Sequence, residues 1–528
     1  MNAEAAVDEG GRETRPAAGS AGFAAAAARG SIWTTSQVLA NKLVTIVVGV
    51  ALSYLLSEAD YGLAAFAANL SVFAFVLPTF VMGDVLLADA RRFDRVAGAA
   101  NAVMWSAAIA MFTIVAAAAL PLERILDRQG LAVLVVVAGT RPLADAVLAL
   151  ANARVRMDLA YRKIAIIDGV VTLITTVAAI GLALAGAGAI ALTLPPIAAL
   201  AGRGLLYWRS LRGRVPIAVE RDEVKPVARR FAVAGLGQYL HNIVGSLEIV
   251  ILGFLTNEVE LGLYVFAATY AFQANSIIAT QFAAVLQPIF VHIHDDARRQ
   301  ISGFLRATRL LSSVAVPLCI VQGAIAIPAI TLVFDEKWRG SIAPFAALSV
   351  AQAFLFVCAP SIALLKAQGR FRAYFMWQFG QMTGSVLLFT FATKYGAEHA
   401  MAVAEWIGLP TDPRAGKALA MAMASAVAWG ISCPVAVWLG GRRADLSVRE
   451  TVRVFVEPWL VTLPLAAALV GGWLVLRGSM SASWADGLTI AVLAPLTAAI
   501  SIAGCIMLRA DTREDFRRIL ERVRSRRK

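Results

Sequence analysis

Apolar residues run along this chain in stretches of about twenty, broken by short polar segments, and the alternation that marks half-buried strands is missing. Stretches of that length predict helices that cross a membrane, because lipid offers no water to an unpaired backbone group. About fourteen spans are predicted, near 31–56, 62–87, 98–120, 131–151, 164–185, 189–208, 231–255, 262–291, 307–333, 341–365, 373–392, 418–439, 454–476 and 487–508. The fold class is therefore an all-α integral membrane protein.

The pattern repeats itself 200 residues on. Leu55, Glu58, Asp60, Gly62, Leu63, Phe66, Ala67 and Ala68 return as Leu255, Glu258, Glu260, Gly262, Leu263, Phe266, Ala267 and Ala268. In both copies an apolar helix ends in an acidic turn, and the glycine is expected to let the backbone reverse. A weaker echo links Arg156, Tyr161 and Arg162 with Lys366, Arg370, Phe371 and Arg372. Duplicated helical halves suggest a transporter whose substrate path lies between them. Six spans per copy keep both in one orientation, giving two pseudo-symmetric lobes about an axis along the membrane normal. The expected divisions are a disordered cytoplasmic tail at 1–30, an N-lobe at 31–208, a cytoplasmic linker at 209–230 and a C-lobe at 231–439. Two extra helices at 454–508 and a basic cytoplasmic tail at 509–528 follow.

Composition sharpens this reading. Residues are 59% hydrophobic and the mean hydropathy is +0.71, which excludes a soluble globular domain. A net charge of +13 would suggest nucleic acid in a soluble protein. Here most Lys and Arg fall in the termini and every second loop, so the charge sets topology and both termini are expected in the cytoplasm. No nucleic-acid partner is implied. Cys319, Cys358, Cys433 and Cys505 stand apart in apolar segments and read as packing residues, with no metal or cofactor site. No nucleotide-binding signature is present, so ATP is not the expected energy source.

Several short motifs carry a likeness. They are Arg29-Gly30-Ser31-Ile32-Trp33, Leu55-Leu56-Ser57-Glu58-Ala59-Asp60-Tyr61-Gly62, Leu261-Gly262-Leu263-Tyr264 and Val285-Leu286-Gln287-Pro288. Through them the chain resembles the Wzx-type oligosaccharide flippases of the multidrug/oligosaccharidyl-lipid/polysaccharide (MOP) exporter superfamily. Gln287 departs from the phenylalanine usual before that proline. The resemblance implies a MATE-like fold in the bacterial inner membrane. It also implies a non-enzymatic carrier that moves undecaprenyl-diphosphate-linked repeat units by alternating access, for export of polysaccharide. The implied partners are the lipid-linked oligosaccharide, the bilayer, and a polysaccharide polymerase with its export machinery.

Such a substrate needs a wet, cationic cavity, so buried cations are the residues to seek. Arg141 lies mid-span in helix 4, too deep to snorkel, and a lone arginine there costs several kcal/mol unless it faces protein or water. Asp145 lies one turn on; the two form either a phosphate or sugar contact or a self-satisfied packing pair. Lys42 belongs to a polar stripe with Gln37 and Asn41, and the second copy offers Gln238, His241, Asn242 and Glu248 on one face of helix 7. These are opposite walls of one cavity, or polar glue between helices. Arg203 lines the cavity or snorkels to the cytoplasmic side. Thr269 and Gln273, with Ser276 and Thr280, form a stripe on helix 8 suited to sugar hydroxyls. Glu248 has no basic neighbour within a turn of its own helix and is a candidate for coupling to H+ or Na+, with His241 as relay and Asp145 as a further acid. Asp168 and Glu457 are expected only to complement helix dipoles.

Three other readings compete. A cationic-drug exporter on the same fold would line its cavity with carboxylates. A peptidoglycan-precursor flippase has the pattern of essential arginines in its first, second and eighth helices, and this chain places no Arg or Lys within spans 2 and 8. A membrane polymerase or ligase would need a catalytic outer loop, and the longest one here, about 393–417, reads as a connector.

Overall fold

The computed structural model describes residues 44–75, 81–88, 92–158, 160–211, 213, 215, 218–273, 290, 297–442 and 446–508. A helical segment falls on every one of the fourteen predicted spans, and no strand occurs among the described residues. Nine described helices are long and apolar enough to cross a membrane, and a tenth is a bent pair.

The N-lobe comprises α1 (Val44–Leu55), α2 (Glu58–Val72), α3 (Val81–Ala88), α4 (Phe93–Leu126), α5 (Leu131–Gly139), α6 (Arg141–Met157), α7 (Tyr161–Leu184) and α8 (Ile190–Leu211). The C-lobe comprises α9 (Arg221–Leu255), α10 (258–273), α11 (Ala297–Ala324), α12 (Ala326–Val333), α13 (Ile342–Ala367), α14 (Phe371–Tyr395), α15 (Ala397–Trp406) and α16 (Gly416–Gly441). α17 (Val448–Ser479), α18 (Ala482–Leu488) and α19 (Ala494–Leu508) pack on α11 and α12. Asp486 of α18 fastens them there, accepting from Trp473 Nε1 at 2.7 Å and Thr331 Oγ1 at 3.1 Å.

Several expectations are corrected. Residues 221–230, assigned to the linker, are the first turns of α9, because Asp222 and Glu223 complement its N-terminal dipole. Buried Glu223 also holds Arg92 at 2.7 Å and Arg95 at 3.0 Å beside α4. Part of the outer connector is helical, as α15. Span 4 is broken at Thr140: Pro142 has no N–H for the carbonyl of Ala138, and the turn tightens to Thr140 N–H on Val137 O at 3.1 Å. Span 7 bends by 41° between Leu240 and Asn242.

The repeated glycines do not reverse the chain. Gly62 and Gly262 sit inside α2 and α10 without the left-handed φ seen at Gly130, Gly186 and Gly369. Their role is approach. A Cβ on Gly62 would lie 2.1 Å from Glu258 O, and one on Gly262 would lie 1.7 Å from Glu58 O. The two copies of the motif therefore clasp each other reciprocally where the lobes meet.

Candidate functional site

The clasp lies at the end of the molecule that the charge pattern assigns to the outside. Ser57 and Asp60 close a capping box on α2, with Ser57 N–H on Asp60 Oδ2 at 2.9 Å and Asp60 N–H on Ser57 Oγ at 3.2 Å. In the second copy Asn257 Oδ1 accepts from Glu260 N–H at 2.8 Å, which frees the Glu260 carboxylate to accept from Lys417 N–H at 2.6 Å and cap α16. The equivalent acids Glu58 and Glu258 each meet an arginine of the opposite lobe. Arg414 stands 3.8 Å from Glu58, and Arg128 stands 3.2 Å from Glu258.

Arg128 is 8% exposed and also donates to Gly253 O at 2.7 Å and Thr256 O at 2.5 Å, with its guanidinium over the Phe66 ring. It thereby occupies the carbonyls that α9 leaves open at its C-terminus. Partial burial works against the charge of Asp412, but hydrogen bonds and charge from Arg414 outweigh it and hold that carboxyl below the usual carboxylate range.

An aromatic plug lies beneath the clasp. Trp338 is wholly buried, stacks on Phe266 at 4.0 Å between centroids, meets Tyr61 at 5.0 Å and donates from Nε1 to Ser53 O at 3.0 Å. Phe334 and Tyr270 complete the cluster.

Under the plug opens a cavity of about 1040 Å³, walled by α1, α2, α5 to α8, α9 and α10. Arg141, the first residue of α6, stands on its wall. That side chain is 58% exposed, and among the described residues its ion-pair partner is Asp145, 11% exposed, at the loose distance of 4.0 Å. Arg203 also lines the cavity, braced 3.6 Å from Asp168 Oδ1 and donating to Thr172 Oγ1 at 3.2 Å. Asn242, Gln273 and Thr269 line it from the C-lobe.

Other candidates fall elsewhere. Gln238 is not on the wall; its amide donates to Asn242 Oδ1 at 3.1 Å. Glu248 is buried off the cavity and accepts from Tyr264 O–H at 2.5 Å, with Ser425 of α16 beside it. The backbone of His241 lies at the bend of α9, and its side chain is outside the described residues. Gln37, Asn41, Lys42, Ser276 and Thr280 also lie outside them. Asp168, expected to serve a helix dipole, sits beyond the first turn of α7, where it accepts from Tyr207 O–H at 2.7 Å and braces Arg203. Glu457 likewise lies deep in α17 and pairs with Arg453.

Two features escaped the sequence reading. Arg128 gave no local signal, since its partners are carbonyls of a distant helix. Thr172, Thr175 and Thr176 of α7 and Thr193 of α8 line the cavity, and the spacing of the first three was visible. Among the described residues no cluster of acids, His and Cys could hold a metal ion.

Comparison with known proteins places this architecture. A family model described as a polysaccharide biosynthesis protein matches residues 51–343, more than half of the chain. The teichuronic acid biosynthesis protein TuaB of Bacillus subtilis is 24% identical over 276 residues, 51% of this chain and 52% of that protein. The succinoglycan biosynthesis transport protein ExoT of Rhizobium meliloti is 22% identical over 169 residues, 32% of this chain and 33% of that protein. The chain thus spans about half the length of the first of these curated relatives and a third of the second. Among solved structures, the lipid II flippase MurJ in its inward closed conformation superposes with a TM-score of 0.63. The match covers 90% of this chain and 100% of that one at 10% identity, a likeness of fold.

Proposed function

The chain belongs to the polysaccharide biosynthesis protein family, and from that premise we propose that it is a flippase for undecaprenyl-diphosphate-linked oligosaccharides in the bacterial inner membrane, with both termini in the cytoplasm. The observation that carries this reading is Arg141. A membrane-embedded guanidinium is stable only against water or a counter-charge, and among the described residues this one lines a large cavity with Asp145 alone as a loose ion-pair partner. A diphosphate supplies a closer counter-charge than Asp145 does and matches the fork of donors. The glycan would share the aqueous cavity while the polyprenyl tail remains in lipid.

Alternating access follows from the layering. With the clasp and plug closed, both would stand between the cavity and the outer side. Release there requires Gly62 and Gly262 to part and the Arg128 and Arg414 pairs to break, while the lobes rock about their common axis. Energy from H+ or Na+ would enter at a buried acid, with Glu248 the candidate for coupling and Asp145 the acid within the cavity. A polymerase and export machinery would take the product on the outer side.

The test is movement of an undecaprenyl-diphosphate oligosaccharide across proteoliposome membranes. The intact protein is expected to move it, Arg141→Ala to lose at least about tenfold of the rate at matched insertion, and Arg141→Lys to retain part. An inert intact protein, across several glycans and with an imposed proton or sodium gradient, would sink the reading. So would full activity in Arg141→Ala.

A further inference from the structure

Thr172, Thr175 and Thr176 of α7 stand at i, i+3 and i+4, so they share one helical face, which Ala179 extends by another turn. All four line the cavity. The opposite side of α7 is apolar and exposed, with Leu173, Ile174 and Val177 facing outward, as lipid contact requires. α7 therefore separates lipid from cavity, and its hydroxyls lie on the cavity side. Thr193 continues the same wall on α8.

The hydroxyl hydrogens of Thr175 and Thr193 are spent on the helices themselves. Thr175 donates to Val171 O at 2.8 Å and Thr193 to Ala189 O at 3.0 Å. Thr172 Oγ1 receives the guanidinium of Arg203. A hydroxyl that donates backwards keeps its lone pairs, so what it offers an incoming group is an acceptor. Thr269 on the C-lobe side is arranged alike, donating to Val265 O at 2.8 Å. Arg141 offers the reverse, donors only.

We propose that the threonine face of α7, continued by Thr193 of α8, is the glycan subsite of this cavity, a wall of acceptors for sugar hydroxyl and acetamido N–H donors, beside Arg141 for the diphosphate. This rests on the flippase reading and adds where each half of the polar head goes. A bare lipid diphosphate has no donors to place on such a wall, so the wall discriminates in favour of lipids that carry sugar.

Three lipids test this in proteoliposomes of the full chain: undecaprenyl diphosphate bare, with one sugar, and with an oligosaccharide. Thr175→Val with Thr176→Val keeps the branched shape and removes the acceptors without touching the Arg203 contact. The double variant is expected to move the oligosaccharide roughly tenfold more slowly and the one-sugar lipid several-fold more slowly, with bare lipid unchanged. Thr175→Ser with Thr176→Ser should restore the oligosaccharide rate. Equal loss on bare lipid would overturn the proposal, as would an unchanged oligosaccharide rate or failure of the serine pair to rescue. An intact protein that moves none of the three would overturn the flippase reading itself, an outcome distinct from those.

Discussion

The clasp between the lobes and the cavity below it spend the same residue types in opposite ways. At the clasp, glycine brings two backbones closer than any Cβ permits, and Arg128 is buried on three partners. In the cavity, Arg141 has Asp145 at 4.0 Å as its ion-pair partner among the described residues, and threonines of α7 and α8 line the wall. An arginine buried against protein carbonyls and a carboxylate holds the protein together. One whose donors are open can hold something else, and sequence depth alone does not tell the two apart.

Three substitutions would break or sharpen the contrast. The largest effect is expected from Gly262→Ala. Both atoms that collide are fixed, one on the helix backbone and one a carbonyl, so no rotamer change relieves the contact. A loss at or above the upper end of the roughly 1–3 kcal/mol seen for overpacked sites is expected. A thermal melt in detergent equal to that of the intact protein would show that the clasp is loose in solution. Next comes Arg128→Gln, which leaves two helix-end carbonyls and Glu258 without their cation. The cost should be about 3 kcal/mol, the lower end for breaking a buried pair because Glu258 is partly exposed, and chemical denaturation reads it. If Arg141→Ala destabilised as much, the distinction between the two arginines would collapse. The smallest effect, with opposite sign, belongs to Gly384→Ala on α14. No atom lies within 4 Å of its added Cβ, and the helix should gain up to about 1 kcal/mol from a stiffer unfolded chain. A clear loss of melting temperature there would mean that the open space beside α14 is filled in the membrane.

The spans were legible because a membrane demands some twenty apolar residues each time the chain crosses it. The duplicated turn was legible too, but its glycines were given a local role when their reason is contact between lobes, which no single copy can display. Arg141 was found by depth, whereas the interruption beside it at Thr140 was not foreseen. Glu248 shows the cost of drawing a face too wide. Six residues on from Asn242, it lies roughly 120° around α9, so Asn242 reaches the cavity while Glu248 is enclosed by Tyr264 and α16. The threonine face was written in the chain at Thr172, Thr175 and Thr176. Threonines in membrane helices routinely bond back to their own carbonyls, and only the cavity beside these gives them meaning.

The reciprocal glycine contact has a consequence for ancestry. Gly62 faces Glu258 and Gly262 faces Glu58, so position i of one copy meets position j of the other, and j meets i. That is the rule of an interface between two identical subunits related by a twofold axis. Each half of this gene thus encodes both sides of its own joint, and a chain with one lobe alone would carry a surface ready to pair with itself.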